Sequence, residues 1–207
     1  MRALALLAFA ASCGSSDCPT FIGDPAQAPA IDMVTLDAAF AVHTAGDGSE
    51  LALIRPPQGG KIVLVGARAR NVCAGPIQVT GAVTDLCTGR VVGLESRTVL
   101  YVAAADGGVA DVKEPAQISS YANVAVCPNN VAARDLDGEP YRVTVTIQDK
   151  LGRVAEKVIT ATPVCAEPED ERECRCTCRA GYANGDTCAG FPDAGPPVDC
   201  PADGGMP

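Results

Sequence analysis

The sequence predicts an all-β protein: one antiparallel β-sandwich, then a small disulfide-rich segment and a disordered tail. Three observations carry this. Between Ile31 and Cys165, about eight short β-branched runs are separated by Gly, Pro, Asn and Asp, the spacing expected of a sandwich, with a small β-barrel as the alternative. No helical period survives beyond the first residues: Ala26 to Val42 is Ala-rich, but Pro29, Ile31, Val34 and Thr35 interrupt it. Eleven cysteines, five of them beyond Cys165, mark a stapled C-terminal segment.

Taken in order, Gly14 to Ala30 holds Pro19, Pro25 and Pro29 without periodicity and reads as a tether (13–30), with Cys18 able to pin it to the domain. Strands are expected at Ile31 to Leu36, Leu51 to Ile54, Lys61 to Ala69, Ile77 to Leu86, Arg90 to Ala103 and Ser119 to Cys127. The continuous run Lys61-Ile62-Val63-Leu64-Val65 reads as a central strand, buried on both faces. In Tyr141 to Gln148, Tyr141, Val143, Val145 and Ile147 alternate with Arg142, Thr144, Thr146 and Gln148, the pattern of a half-buried strand. Asp149 to Gly152 turns the chain and Arg153 to Val164 returns, completing a hairpin. The domain is expected over 31–165, a cysteine-rich knob over 166–190 and an acidic tail over 191–207.

Hydrophobic residues at 47% suffice for a packed core, and aromatics at 4% leave it to Val, Ile, Leu and Ala. The net charge is −9, of which Ala166 to Pro207 carries −6. An acidic balance without a basic stretch excludes nucleic acid as a partner, since such binding needs Lys and Arg against phosphates.

Arg2, the apolar run Ala3 to Ala11 and the small residues after it follow the order of a secretory signal (1–12), too short to span a bilayer. Ala11-Ser12-Cys13 resembles the lipobox of bacterial lipoproteins. The resemblance implies acylation of Cys13, a membrane anchor through that lipid and, with no aspartate after the cysteine, the outer membrane of the cell envelope. One cysteine taken by lipid also leaves ten for disulfides: Cys18, Cys73, Cys87, Cys127, Cys165, Cys174, Cys176, Cys178, Cys188 and Cys200. An exported, oxidising compartment favours such bridges but does not supply their connectivity. Cys73 and Cys87 bracket one strand and Cys127 and Cys165 the last hairpin; bridges across those brackets would each stabilise by roughly 2–4 kcal/mol.

Asp135 to Tyr141 and the Asp149 to Gly152 turn resemble the end of immunoglobulin-like and fibronectin-like domains. That likeness implies an immunoglobulin-like sandwich in which the Tyr141 hydroxyl bonds back to the upstream chain. Cys176-Thr177-Cys178-Arg179-Ala180-Gly181-Tyr182 and Cys188 resemble the second half of an epidermal-growth-factor-like module, which implies a stapled knob.

Chemistry-bearing groups are few. Cys174-x-Cys176-x-Cys178 could hold a thiophilic metal, but the spacing is not C-x-x-C and the compartment favours disulfides. Asp135, Asp137 and Glu139 offer the hard oxygens calcium takes, or simply a solvated turn. His43, the single histidine, precedes Gly46-Asp47-Gly48-Ser49 and reads as an exposed turn residue, with no nucleophile elbow or phosphate loop in the chain. Glu167 to Glu173 reads as a solvated charge run. The expectation is a non-enzymatic envelope lipoprotein without catalytic residues, metal or cofactor, acting as a structural or binding module toward a protein or glycan. The alternative is an envelope metal-binding protein or surface hydrolase.

Overall fold

The computed structural model describes residues 17–190. The expected signal peptide, Cys13, Cys200 and the 191–207 tail lie outside the described residues.

The regular structure of the described chain is mostly strand: β1 (Phe21–Ile22), β2 (Ala30–Leu36), β3 (Val42–Thr44), β4 (Glu50–Ala52), β5 (Lys61–Arg70), β6 (Val72–Cys73), β7 (Gly75–Asp85), β8 (Val91–Ala103), β9 (Ala110–Val112), β10 (Ala122–Cys127), β11 (Tyr141–Gln148) and β12 (Val154–Val164), with a 3-10 turn at Ile118–Ser120 and one α-helix, α1 (Glu171–Cys178). Each of the eight expected runs is a strand within a few residues. The short strands β1, β3, β6 and β9 were not expected from the sequence, because two or three residues are too few to show a period.

A ten-stranded path runs β3-β2-β5-β9-β8-β7-β11-β12-β4, with β10 paired to β5, and β1 pairs β6 apart from it. All pairings are antiparallel except the parallel pair β12 with β4. The path folds back on itself, so that β10 lies against β7 and β8 and β12 against β2. β5 sits in the middle, flanked by β2 on one side and β10 and β9 on the other, which is why its apolar run is continuous.

Gly81 of β7 sits where the faces meet: a Cβ there would lie 2.6 Å from Val65 Cγ2 and 2.8 Å from Val124 Cγ2. On β11 the alternation is kept in full, with Tyr141, Val143, Val145 and Ile147 buried. The core is broader than the Val, Ile, Leu and Ala expected. Tyr101, Tyr121 and Tyr141 are also enclosed, and each hydroxyl donates to a carbonyl: Ala67 at 2.9 Å, Pro115 at 2.7 Å and Arg134 at 2.9 Å. A buried phenol needs that partner, since an unmade hydrogen bond inside a core costs about 1–3 kcal/mol.

Residues 17–29 lie against the domain, pinned by the expected bridge from Cys18, which goes to Cys73; Ile22 is buried, and the Arg153 guanidinium covers the Phe21 ring at 5.0 Å and donates to the carbonyls of Pro25 and Gln27. Glu171–Cys178 is helical, where no helix was expected. A cysteine at every second position hides the helical period, and the disulfides below supply the tertiary hold that so short a helix needs.

Candidate functional site

The chemistry-bearing residues gather at the end of the fold where β7 finishes, β10 finishes and α1 docks. Positions i and i+4 share a helix face, so Cys174 and Cys178 both point inward from α1 and Cys176 points elsewhere. Cys174 bridges Cys165, Cys178 bridges Cys127 and Cys176 bridges Cys188. The bracket pairings are thereby corrected. Cys73 and Cys87 flank an extended eleven-residue strand and are held about 33 Å apart by it, far beyond the 4.4–6.8 Å a disulfide allows between Cα atoms. Cys127 and Cys165 do come to the same end, but α1 is interposed and takes one bridge from each.

The sulfurs of Cys165, Cys174 and Cys178 lie within 4.8 Å of one another, close enough for a metal cluster in a reduced protein. Here they belong to two neighbouring disulfides, so none is a thiolate free to ligate. Cys87 is also disulfide-bonded.

The acidic residues read as a solvated run or a calcium loop do other work. Glu167 and Asp170 reach back to Lys61, a cation only 3% exposed at the start of β5, with Nζ 2.7 Å from Glu167 Oε2 and 2.5 Å from Asp170 Oδ2. Arg55 adds a contact to Asp170 Oδ1 at 3.2 Å, and its backbone N–H donates to Glu167 at 3.1 Å. Asp135 Oδ1 accepts the Ala180 N–H at 2.8 Å and Asp137 Oδ1 accepts the Cys165 N–H at 2.7 Å. Asp137 Oδ2 also pairs with Arg175 of α1 at 3.1 Å, while Glu139 pairs with Arg134 at 3.0 Å. These carboxylates fasten the helix to the sheet end. The loop between β10 and β11 is tied in by Asn129, buried, whose N–H donates to Thr177 O and whose Nδ2 donates to Arg134 O, both at 2.9 Å.

Asp85 closes the same end from β7. Its Oδ2 accepts the Ala133 N–H and its Oδ1 the Cys87 N–H, each at 2.8 Å. Burial pushes its pKa up, but the Ala133 and Cys87 N–H groups, the Thr88 hydroxyl and the Arg134 charge outweigh it and hold the carboxyl below the usual range.

His43 is exposed on β3, with Nε2 2.8 Å from Asp37 Oδ2. That hydrogen bond, with N–H groups from Ala41 and Ala39, holds the Asp37 carboxyl below its ordinary value. The nearby Asp47 and Ser49 do not join His43: Asp47 accepts the Thr160 N–H and Ser49 Oγ the Gly46 N–H.

The outward face of β8, β7, β11 and β12 is a second candidate. Its cross-strand rows read Leu94, Ala82, Thr144, Val158; then Ser96, Thr80, Thr146, Glu156; then Thr98, Gln78, Gln148, Val154. Leu94 is 67% exposed, and Leu100 further along β8 and Val154 and Val158 on β12 are also exposed, while Arg142 and Glu156 are the charges on these strands' outward positions. Sequence reasoning missed this face, and also Lys61, Asp85 and Asn129. A lysine heading an apolar strand was the available signal for Lys61; nothing local distinguishes the other two.

Comparison with protein-family models and with curated proteins gives no match to this chain. The four disulfides closed between described residues fit an oxidising, exported environment. Among the described residues no helix is long and apolar enough to cross a membrane.

Proposed function

We propose that this chain is a non-enzymatic cell-envelope lipoprotein: an immunoglobulin-like module held at the membrane by lipid on Cys13, which binds a protein or glycan. Several features support the immunoglobulin-like reading. β4 pairs in parallel with the last strand β12, β8-β7-β11-β12 form an antiparallel set facing β5 and β10, and the Tyr141 hydroxyl at the start of the penultimate strand donates to the Arg134 carbonyl. The lipid anchor rests on the Ala11-Ser12-Cys13 pattern.

The observation that carries the binding role is the open face of β8, β7, β11 and β12. Three outward rows hold one charged residue, Glu156, and exposed Leu94, Val154 and Val158. A sheet face with a single charge across three rows and exposed apolar side chains on both its outer strands, β8 and β12, offers a partner contact area at little desolvation cost. At the sheet end, Glu167, Asp170 and Asp137 and the bridges from Cys174 and Cys178 are engaged in holding α1 in place. The test is photo-crosslinking in intact cells from a diazirine side chain placed at Leu94 or Val158, with Ala39, exposed in the β2–β3 turn, as control. A discrete envelope adduct from the face positions and not from Ala39 supports the reading; equal or absent adducts at all three positions contradict it.

A further inference from the structure

A charged cleft of about 440 Å³ opens between the β8–β9 turn and the outward side of β2, β3 and β5, toward the end of β5 that lies far from Lys61. That volume is within the range of small-ligand sites, about 300–1,000 Å³.

Strand alternation makes its floor. Past its buried run, β5 turns Arg68 and Arg70 outward while Ala67 and Ala69 stay in the core, and Asp32 of β2 stands directly opposite Arg68. Each charged group is committed at one end and open at the other. Arg68 Nε donates to Asp111 Oδ2 at 2.8 Å, and Asp111 Oδ1 is itself fixed by the Val112 N–H at 2.8 Å. Arg70 Nη1 lies 3.0 Å from Asp32 Oδ2. Asp106, in the β8–β9 turn, accepts the Gly108 N–H on Oδ1 at 3.1 Å. Among the described residues no partner takes Nη1 or Nη2 of Arg68, Nη2 of Arg70, Asp32 Oδ1, Asp106 Oδ2 or the Thr44 hydroxyl.

This set selects a ligand by exclusion. Three carboxylates against two guanidiniums give the cleft a slight negative balance, which disfavours a phosphate or other anion, while the guanidiniums disfavour a metal cation. A hydroxyl suits both kinds of group, since it accepts from a guanidinium N–H and donates to a carboxylate oxygen at once. Neighbouring hydroxyls on one ring can therefore span an Arg and an Asp held side by side, through hydrogen bonds strengthened by the charges. The wall of Ala104, Ala105 and Val109 offers small apolar side chains for the C–H face of such a ring, and no deep pocket for the side chain of a peptide.

We infer that this cleft binds an uncharged saccharide, with Arg68 and Arg70 donating to its hydroxyls and Asp32 and Asp106 accepting from them. Asp111 is a positioning residue that fixes the Arg68 guanidinium. The floor lies on β2 and β5, apart from the open face of β8, β7, β11 and β12, so the two surfaces stand or fall separately.

The full-length chain on a printed array of neutral and acidic oligosaccharides and extended peptides, followed by calorimetry with the neutral oligosaccharide bound best, tests it. Neutral sugars are expected to bind, and Asp32→Asn and Arg70→Gln each to weaken them at least about tenfold. Both side chains are half exposed, and an exposed pair adds little stability, so these variants should keep the wild-type unfolding midpoint. Arg90→Gln, which removes a charge from the exposed β7–β8 turn, should leave binding unchanged. Binding of acidic sugars alone, of peptides alone or of nothing on the array overturns the inference, as does equal affinity in wild type, Asp32→Asn and Arg70→Gln. Adducts from Leu94 or Val158 in intact cells are expected to persist in Asp32→Asn, so failure of the cleft and failure of the open face are told apart.

Discussion

Lys61 on β5 and Asp170 at the head of α1 form an enclosed ion pair, Nζ to Oδ2 2.5 Å, with Glu167 closing the other side of the ammonium at 2.7 Å. A lone ammonium in that position would be prohibitive, and the acidic run just before α1 removes the difficulty by folding over it. Replacing both Asp170 and Glu167 with Ala leaves Lys61 without its close partners and should lower stability by about 3–5 kcal/mol. Adding Lys61→Met to those changes should recover most of the loss. Urea unfolding with disulfides intact measures both; no recovery in the triple variant would mean that the charge is not what the acidic groups serve.

Asp85 gives the acid limb of stability a specific source. Its carboxyl is held below the usual range in the folded chain, so its contribution is present above the ordinary carboxylate pKa and is lost as pH falls through the folded value. Asp85→Asn should be less stable at neutral pH and show a shallower decline between about pH 4 and pH 2. Matching slopes for variant and wild type in pH-stepped denaturation would contradict this.

Gly81 is where the folded-over sheet faces come closest. A Cβ would meet Val65 and Val124 below 3.0 Å, and both are core residues of β5 and β10. Gly81→Val should cost at least about 1–3 kcal/mol by overpacking. Ala82→Val, one position along and on the outward face, should be tolerated within roughly 0.5 kcal/mol. Equal midpoints for the two variants would show that the faces do not meet there.

Tyr141 joins the first turn of β11 to the loop before it. Tyr141→Phe keeps the ring beneath the Arg134 guanidinium, 5.6 Å from its centroid, and removes the hydroxyl's bonds to the Arg134 carbonyl at 2.9 Å and the Asp135 carbonyl at 3.3 Å. A loss of about 1–2 kcal/mol is expected. An unchanged unfolding midpoint would remove the hydroxyl from the account.

Much of this was legible in the sequence because strands announce themselves by period. Tyr141 to Gln148 alternates strictly and Lys61 to Val65 does not, and the two burial patterns follow from that difference. The sheet end was not legible. Cys174, Cys176 and Cys178 suggested no helix, since cysteines two apart match neither face of one, and their partners at Cys165, Cys188 and Cys127 are set by how α1 crosses the gap between β10 and β12. Glu167 and Asp170 looked solvated because the buried cation that needs them lies more than a hundred residues earlier. Local pattern cannot report such pairings; the third dimension makes them.

We propose that lipid on Cys13 holds this sheet domain at the membrane. Radiolabelled palmitate incorporation in intact cells, comparing wild type with Cys13→Ala, tests it most directly. Label is expected in the wild-type chain and none in the variant; equal labelling of both, or no label in either, would overturn the anchor.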